Sequence, residues 1–478
     1  MRLSQSRHLP QRHILLPIVL CASVLLLAYF LGKRPSMMIV GALIGIGAAF
    51  VILQRPALSP LVLIVAGLAV PMGIGTGTEV RLGSAAFAVP ALVLIWLLDS
   101  LRQRKLNLPS SATSLPLLLF LLMGIISLLI GTALWDPMVP RPGNLLLVQL
   151  AQWAIFAFSG IAFWLMAGWG QNEGWLRRIT LGYLLIGGIL TAIWASPARP
   201  LVLRLLAVEP GYPPLLVLTG ALAAAELLYD RQLSTRWRWF LAAVLIAVIY
   251  QTFVGQRESV STLVGVLAAG GVLTWLRFPR LRWAIVVLII AFALSGILFP
   301  AAWEFAGGDS EWQASGGSRL VLAGRVIEET MRNPITGLGP AAYRAYARIK
   351  PLPYQNAYWR EPLVSAHNNW VDLFSHVGLA GLGLFVWFMV EVARLGFRLR
   401  KRTTGFALGY THAMLAVWTA MMVMMAFGDW FLPFVYNLGF PAFQGSVLVW
   451  LFLGGLVALK NMGEGETRGQ GERETGER

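Results

Sequence analysis

The side chains with chemistry to offer gather around Ser365-Ala-His-Asn-Asn-Trp-Val-Asp372, which places His367 and Asn368 at the mouth of a long apolar stretch. Imidazole is the side chain whose ordinary pKa lies nearest neutrality, so His367 can accept or return a proton there. Upstream, Arg319, Arg325, Arg344 and Arg348 lie in the long polar segment near 300–366, and Arg257 sits in Gln251-Thr-Phe-Val-Gly-Gln-Arg257-Glu-Ser259 between two apolar runs. Guanidinium groups hold a permanent charge and bind phosphate oxygens in pairs. A proton acceptor beside such cations suits acid–base chemistry at an anionic, phosphate-bearing substrate. The same arginines also read as a helix pair lying on a membrane surface against lipid phosphates. For Arg257 the plainer alternative is a snorkelling side chain paired with Glu258.

The elements that must position these residues are membrane helices. The chain has 478 residues, 57% of them hydrophobic and 13% charged, about half the charged fraction of a soluble domain. Fourteen apolar segments have roughly the 17–25-residue length that crosses a bilayer as helix; they lie near 14–32, 36–53, 58–74, 84–99, 114–133, 147–168, 176–195, 213–229, 237–254, 259–277, 281–299, 368–394, 405–427 and 441–460. The expected fold is all-α, a polytopic bundle of about 12–14 spans with one large outer loop carrying short helices. Residues 1–299 supply about eleven spans, 300–367 the loop, 368–460 about three more spans, and 461–478 a polar, disordered tail.

Net charge is +16, from 38 Lys plus Arg against 22 Asp plus Glu. If the N-terminus is cytoplasmic and the spans alternate, 24 of the 38 basic residues fall inside, and 7 of the 14 outside ones lie in the long loop. Positive charge favours the cytoplasmic side of short loops, so both termini are expected there, with Arg257, Arg319 and His367 all on the outer side. No basic stripe lies on a soluble surface, which leaves nucleic-acid binding unsupported. The single cysteine, Cys21, permits neither an internal disulfide nor a cysteine metal site.

Within the loop, Ser318 to Asn333 carries apolar residues at helical spacing, Pro334 stops it, and Gly337-Leu-Gly339 turns the chain. A second short helix is expected from Ala341 to Lys350, with Arg344 and Arg348 four apart on one face. Gly337-Leu-Gly339 lacks the context of a nucleotide loop. His376 and His412 read as packing histidines, and Glu226 and Glu391 as partners of nearby basic clusters. Asp372 reads either as orienting the His367 cluster or as capping polar groups near the surface. Small residues at Gly265, Ala268, Ala269, Gly270 and Gly271 favour close helix approach.

The His367-Asn368 start, the Gly378-Leu-Ala-Gly381-Leu continuation and the upstream Pro334-Ile-Thr-Gly337-Leu-Gly339 resemble the core of the O-antigen ligase and polymerase superfamily. Arg257 resembles that family's arginine after a small polar residue, here Gln256, and Arg319 resembles the arginine that opens its outer-loop helix. The resemblance spans about residues 250–385. It implies a membrane glycosyltransferase without cofactor or metal, acting at the periplasmic face of the bacterial inner membrane in surface polysaccharide (lipopolysaccharide) assembly. Its donor would be a polyprenyl-pyrophosphate-linked glycan and its acceptor a hydroxyl on glycan, lipid or protein. Arg257 and Arg319 would hold the pyrophosphate, His367 would take the acceptor proton, and Arg325, Arg344, Arg348 and Asn368 would contact substrate.

Three other readings stay open. Ligase and polymerase attack the same donor carbon and differ in acceptor. A protein O-oligosaccharyltransferase would share the module. A small-solute or inorganic-carbon transporter is the rival from another class, although few mid-membrane carboxylates or histidines are available to couple an ion.

Overall fold

The computed structural model describes residues 47, 52, 54–70, 73–75, 81–104, 109–170, 172–197, 212–255, 260–293, 317–354 and 357–476. Arg257 and the first two expected spans lie essentially outside these residues. Met1–Pro56 and Ala57–Arg478 form separate compact units. Every helix from Ser59 onward belongs to the second unit.

The described chain is mostly helical: α1 (Ser59–Ala69), α2 (Ser84–Gln103), α3 (Ser114–Ala133), α4 (Leu145–Trp169), α5 (Glu173–Trp194), α6 (Pro213–Tyr229), α7 (Thr235–Tyr250), α8 (Val260–Arg277), α9 (Arg282–Ala293), α10 (Gly317–Thr330), α11 (Tyr343–Ala347), α12 (Asn369–Leu399), α13 (Gly405–Met424) and α14 (Gly439–Gly476). Among the described residues, nine helices are long and apolar enough to cross a membrane, and α1 and α6 are shorter apolar helices. Two small antiparallel hairpins accompany them, Gly73–Gly75 with Arg81–Gly83 and Leu352–Tyr354 with Ala357–Trp359. Neither was expected from sequence. In the second, Tyr358 and Trp359 are residue types that suit a pleated ribbon.

Helix ends alternate between two faces of the bundle, as contacts show. At one face Gln152 of α4 bonds Pro433 O and receives Val435 N, Ser261 of α8 bonds Phe427 O, Arg332 pairs with Asp136, and the Tyr212 and Trp430 rings meet. At the other face Lys460 Nζ bonds Ser110 O, Arg177 pairs with Asp230, and Arg277 lies over the Tyr229 ring. Arg177 takes Asp230 at 2.7 Å rather than the expected Glu226, whereas Glu391 does pair with its own cluster, 2.6 Å from Arg394.

The centre of the bundle is α14, buried along its apolar length. It fits because Gly454 lies against the Phe163 carbonyl of α4 and Gly455 against Tyr410 of α13, where no side chain would fit. Phe388, Phe431 and Trp450 stack around it, with Phe431–Trp450 centroids 4.7 Å apart. Gly265 is similarly packed between Met424 and Val217, while Gly270 meets nothing within 4 Å, so only part of the small-residue stretch serves close approach. The chain beyond Asn461, expected to be disordered, continues α14 as helix to Gly476. Lys460 and Glu464, one turn apart at 3.4 Å, carry it past the apolar segment.

The element that positions the site is α12, 31 residues long and broken at Gly378 (φ 65°, ψ −173°). The break frees backbone groups that an unbroken helix would use internally. The Pro334–Leu338 segment takes them: Leu338 N donates to Ser375 O (2.9 Å), Leu379 N to Pro334 O (2.8 Å) and Ala380 N to Ile335 O (3.0 Å). Gly337 and Gly339 adopt positive φ in this seam, and a Cβ on Gly337 would lie 2.7 Å from Ser375 O. The glycines of the two motifs therefore exist for each other. They weld the Pro334–Gly339 segment to the helix that follows His367.

Candidate functional site

His367 stands two residues before α12 and has a left-handed backbone, φ 47°. That conformation is uncommon outside glycine, and strain of this kind concentrates at functional positions. Asn368 is the helix cap: its Oδ1 accepts from Trp370 N (3.0 Å) and Val371 N (3.2 Å), the arrangement that satisfies the orphan donors of a helix start. Its Nδ2 donates to Ala426 O at 3.3 Å. Asn368, expected from sequence at substrate, thus also holds the start of α12 in place.

The turn from His367 into α12 faces the loop Met425–Leu438, between α13 and α14. Fully buried Asn369 clamps that loop. Its Nδ2 donates to Leu432 O (2.8 Å), its Oδ1 accepts from Phe431 N (3.0 Å) and Leu432 N (3.1 Å), and its backbone N–H donates to Met425 O (2.7 Å). Within the loop, buried Asp429 Oδ2 accepts from Phe434 N at 2.9 Å. Asp429 Oδ1 accepts from Asn437 Nδ2 at 2.7 Å, and the same Asn437 nitrogen lies 3.2 Å from His367 Nδ1. A carboxyl, an amide and an imidazole form a chain in which the amide is the middle link.

Burial pushes the Asp429 carboxyl above the usual carboxylate range, opposed by the Phe434 N–H, the His367 charge and the Asn437 amide. Burial pushes His367 below the ordinary imidazole value; Asp429 opposes the shift and the Arg319 charge adds to it. His367 is half-buried, and the downward shift favours the neutral ring, the form that can take a proton.

Arg319, in the first turn of α10, donates from Nη1 to Phe427 O at 3.3 Å. Ser261 Oγ at the start of α8 donates to the same carbonyl at 3.0 Å. One loop oxygen therefore ties together the beginnings of α8 and α10 beside His367. Arg344 also meets this loop: Nη1 donates to Tyr436 O (3.0 Å) and the guanidinium lies 4.5 Å from the Tyr436 ring centre.

The remaining arginines are engaged elsewhere. Arg325 donates to Pro351 O (3.1 Å) and faces Glu328 (3.5 Å) and Glu329 (4.0 Å). Arg348 pairs with Glu361 at 2.8 Å on the surface. Both were expected at substrate; here they meet neighbouring carboxylates of their own segment. Arg257 lies outside the described residues. The structure thus brings His367, Arg319, Arg344 and Asn368 around one loop and separates Arg325 and Arg348 from it. Asn369, Asp429 and Asn437 were not singled out from sequence; the adjacent Asn368-Asn369 pair was the one legible hint.

His376, read as a packing histidine, is buried among Tyr343, Phe434 and Phe156 and accepts Ala341 N at its Nδ1 (3.3 Å). Asp372, whose role the sequence left open, is likewise buried; its Oδ1 accepts from Tyr343 OH at 2.8 Å. It braces α11 against α12.

Residues 257–386 match a protein-family model described as O-antigen ligase. The match takes in Arg319, His367, the glycine seam and Arg344, and ends before the loop that carries Asp429 and Asn437. Over this segment the chain resembles the O-antigen ligase superfamily, and nine of its described helices have the length and apolar character of membrane spans. No curated protein matches the chain.

Proposed function

We propose that the protein is a glycan ligase or polymerase that transfers a glycan from a polyprenyl-pyrophosphate donor to an acceptor hydroxyl, on the periplasmic side of the bacterial inner membrane. The observation that supports this reading is the placement of a half-buried imidazole beside Arg319, both against the loop that holds Asp429.

In the proposed reaction His367 takes the acceptor hydroxyl proton as the acceptor oxygen bonds to the anomeric carbon. The bond from that carbon to the pyrophosphate oxygen breaks, and the polyprenyl pyrophosphate departs with the electron pair. Arg319, joined by Arg257, stabilises the charge that develops on the leaving group. For Nε2 to act as the base, the ring hydrogen must sit on Nδ1. Turning the Asn437 amide by half a rotation supplies Oδ1 to accept that hydrogen. Oδ1 then also faces Asp429, which must carry a proton, the state that burial favours. Asp429 and Asn437 are positioning residues that act through His367.

The test is glycan transfer by reconstituted protein. His367→Ala should insert and express normally but lose transfer by about 10²–10⁴-fold, the usual contribution of a positioned base. Normal transfer would remove His367 from the reaction. The same variant in cells sorts the acceptor: long unattached polymer marks a ligase, and single-unit glycans on the lipid mark a polymerase.

A further inference from the structure

The end of α12 opposite His367 carries a second built feature. Two adjoining cavities share Phe397 and Arg400. The larger, about 620 Å³, is lined by Glu391, Arg394, Phe397, Arg398, Arg400 and Lys401. The smaller, about 280 Å³, is an apolar cleft between α8 and α13, lined by Val272, Trp275, Leu276 and Leu415 together with Thr419 and the shared pair. In the larger cavity four cations face one carboxylate. Glu391 is already engaged by Arg394 at 2.6 Å and Arg398 at 3.9 Å. Arg400 and Lys401 form no ion pair among the described residues. A basic chamber open to solvent thus leads directly into a greasy slot, with exposed Phe397 and Trp275 on its rim.

That combination has one chemical match in a membrane. An anionic headgroup neutralises the uncompensated cations, and an attached acyl chain fills the slot. A free anion has no use for the cleft, and a zwitterionic lipid brings its own cation to a chamber already rich in them. We propose that this end of the molecule binds an anionic glycerophospholipid, with the phosphate among Arg398, Arg400 and Lys401 and one acyl chain along Val272, Leu276 and Leu415. At about 1.5 Å per residue, the 31 residues of α12 set this site a full bilayer width from His367, in the other leaflet. The assignment is independent of the reaction proposed for His367.

The experiment uses the full-length protein purified in neutral detergent. Lipid retention is read by native mass spectrometry, and melting temperature is measured with phosphatidylglycerol, phosphatidylcholine, glycerol 3-phosphate or inorganic phosphate added. Phosphatidylglycerol alone should be retained and should raise the melting temperature. Arg400→Gln combined with Lys401→Gln should weaken its binding at least about tenfold, since each basic residue at an anionic lipid surface contributes on the order of one kcal/mol. Val272→Trp, which fills the slot and leaves the charges alone, should weaken it comparably. On the unmodified protein, affinity should climb from glycerol 3-phosphate through dihexanoyl to dioleoyl phosphatidylglycerol, a comparison that needs no variant to fold. Equal retention of phosphatidylcholine would overturn the proposal. So would a full thermal shift from inorganic phosphate, which would mark a free-anion site, or phosphatidylglycerol binding unchanged in both variants.

Discussion

The two ends of α12 solve opposite problems. At the His367 end charges are few and most polar atoms have a protein partner: Asn368 caps, Asn369 clamps, and Asp429 and Asn437 line up on the ring. At the Arg400 end charges are many and the partners too few, with Glu391 alone facing four cations. The first arrangement fixes geometry and the second stores charge. Proton transfer needs the former, because misplacing a base by an ångström forfeits much of its effect. Holding a diffuse anionic headgroup needs only the latter. The His367 end should therefore fail sharply on single substitutions, while the Arg400 end should fade gradually and respond to salt.

The sharpest break should come at the glycine seam. Gly378→Ala forces an L side chain into φ 65° and onto the Ile335 carbonyl, so a loss of more than about 3 kcal/mol is expected, seen as failure to purify a monodisperse protein. Next is Asn369→Ala, which orphans the buried N–H groups of Phe431 and Leu432 and the Leu432 carbonyl. It should cost about 2–4 kcal/mol in thermal denaturation and should lower transfer with it. Arg319→Lys should keep the fold and reduce transfer at least about tenfold, because a point charge does not replace a guanidinium fork; a wild-type rate would return Arg319 to a purely structural role on Phe427. Asp429→Asn, whose amide can still donate to Asn437 Oδ1, should retain more transfer than Asp429→Ala. The smallest effect belongs to Arg348→Gln, whose pair with Glu361 is exposed. It should move stability by less than about 1 kcal/mol and leave transfer unchanged.

What the sequence made legible depends on range. Helices such as Ser114–Ala133 and Pro213–Tyr229 start and stop where apolar runs do, because a span must satisfy its own backbone. His367 stood out as an ionisable group with a near-neutral pKa at the mouth of an apolar stretch, and Arg319 through the family resemblance. The partners of His367 were hidden. Asp429 and Asn437 lie about 60 to 70 positions further along, in a loop without periodicity, and only the fold of α13 back along α12 brings them home. The glutamate partners of Arg325 and Arg348 were hidden too: a guanidinium reads the same in sequence whether it faces substrate or a neighbouring glutamate. Gly337 announced a turn, but nothing local announced the break at Gly378 or that the two dock on one another.

The most direct test of the central claim is the pH dependence of glycan transfer. A protonated imidazole cannot act as base, so the rate should rise with pH as His367 loses its proton. Because burial and Arg319 hold its pKa down, the midpoint of that rise should fall below the ordinary imidazole value of about 6.5. Removing the cation in Arg319→Gln should move the midpoint of the residual activity upward. A rise in the same place in both proteins, or no rise at all, would contradict the assignment of His367 as the base beside Arg319.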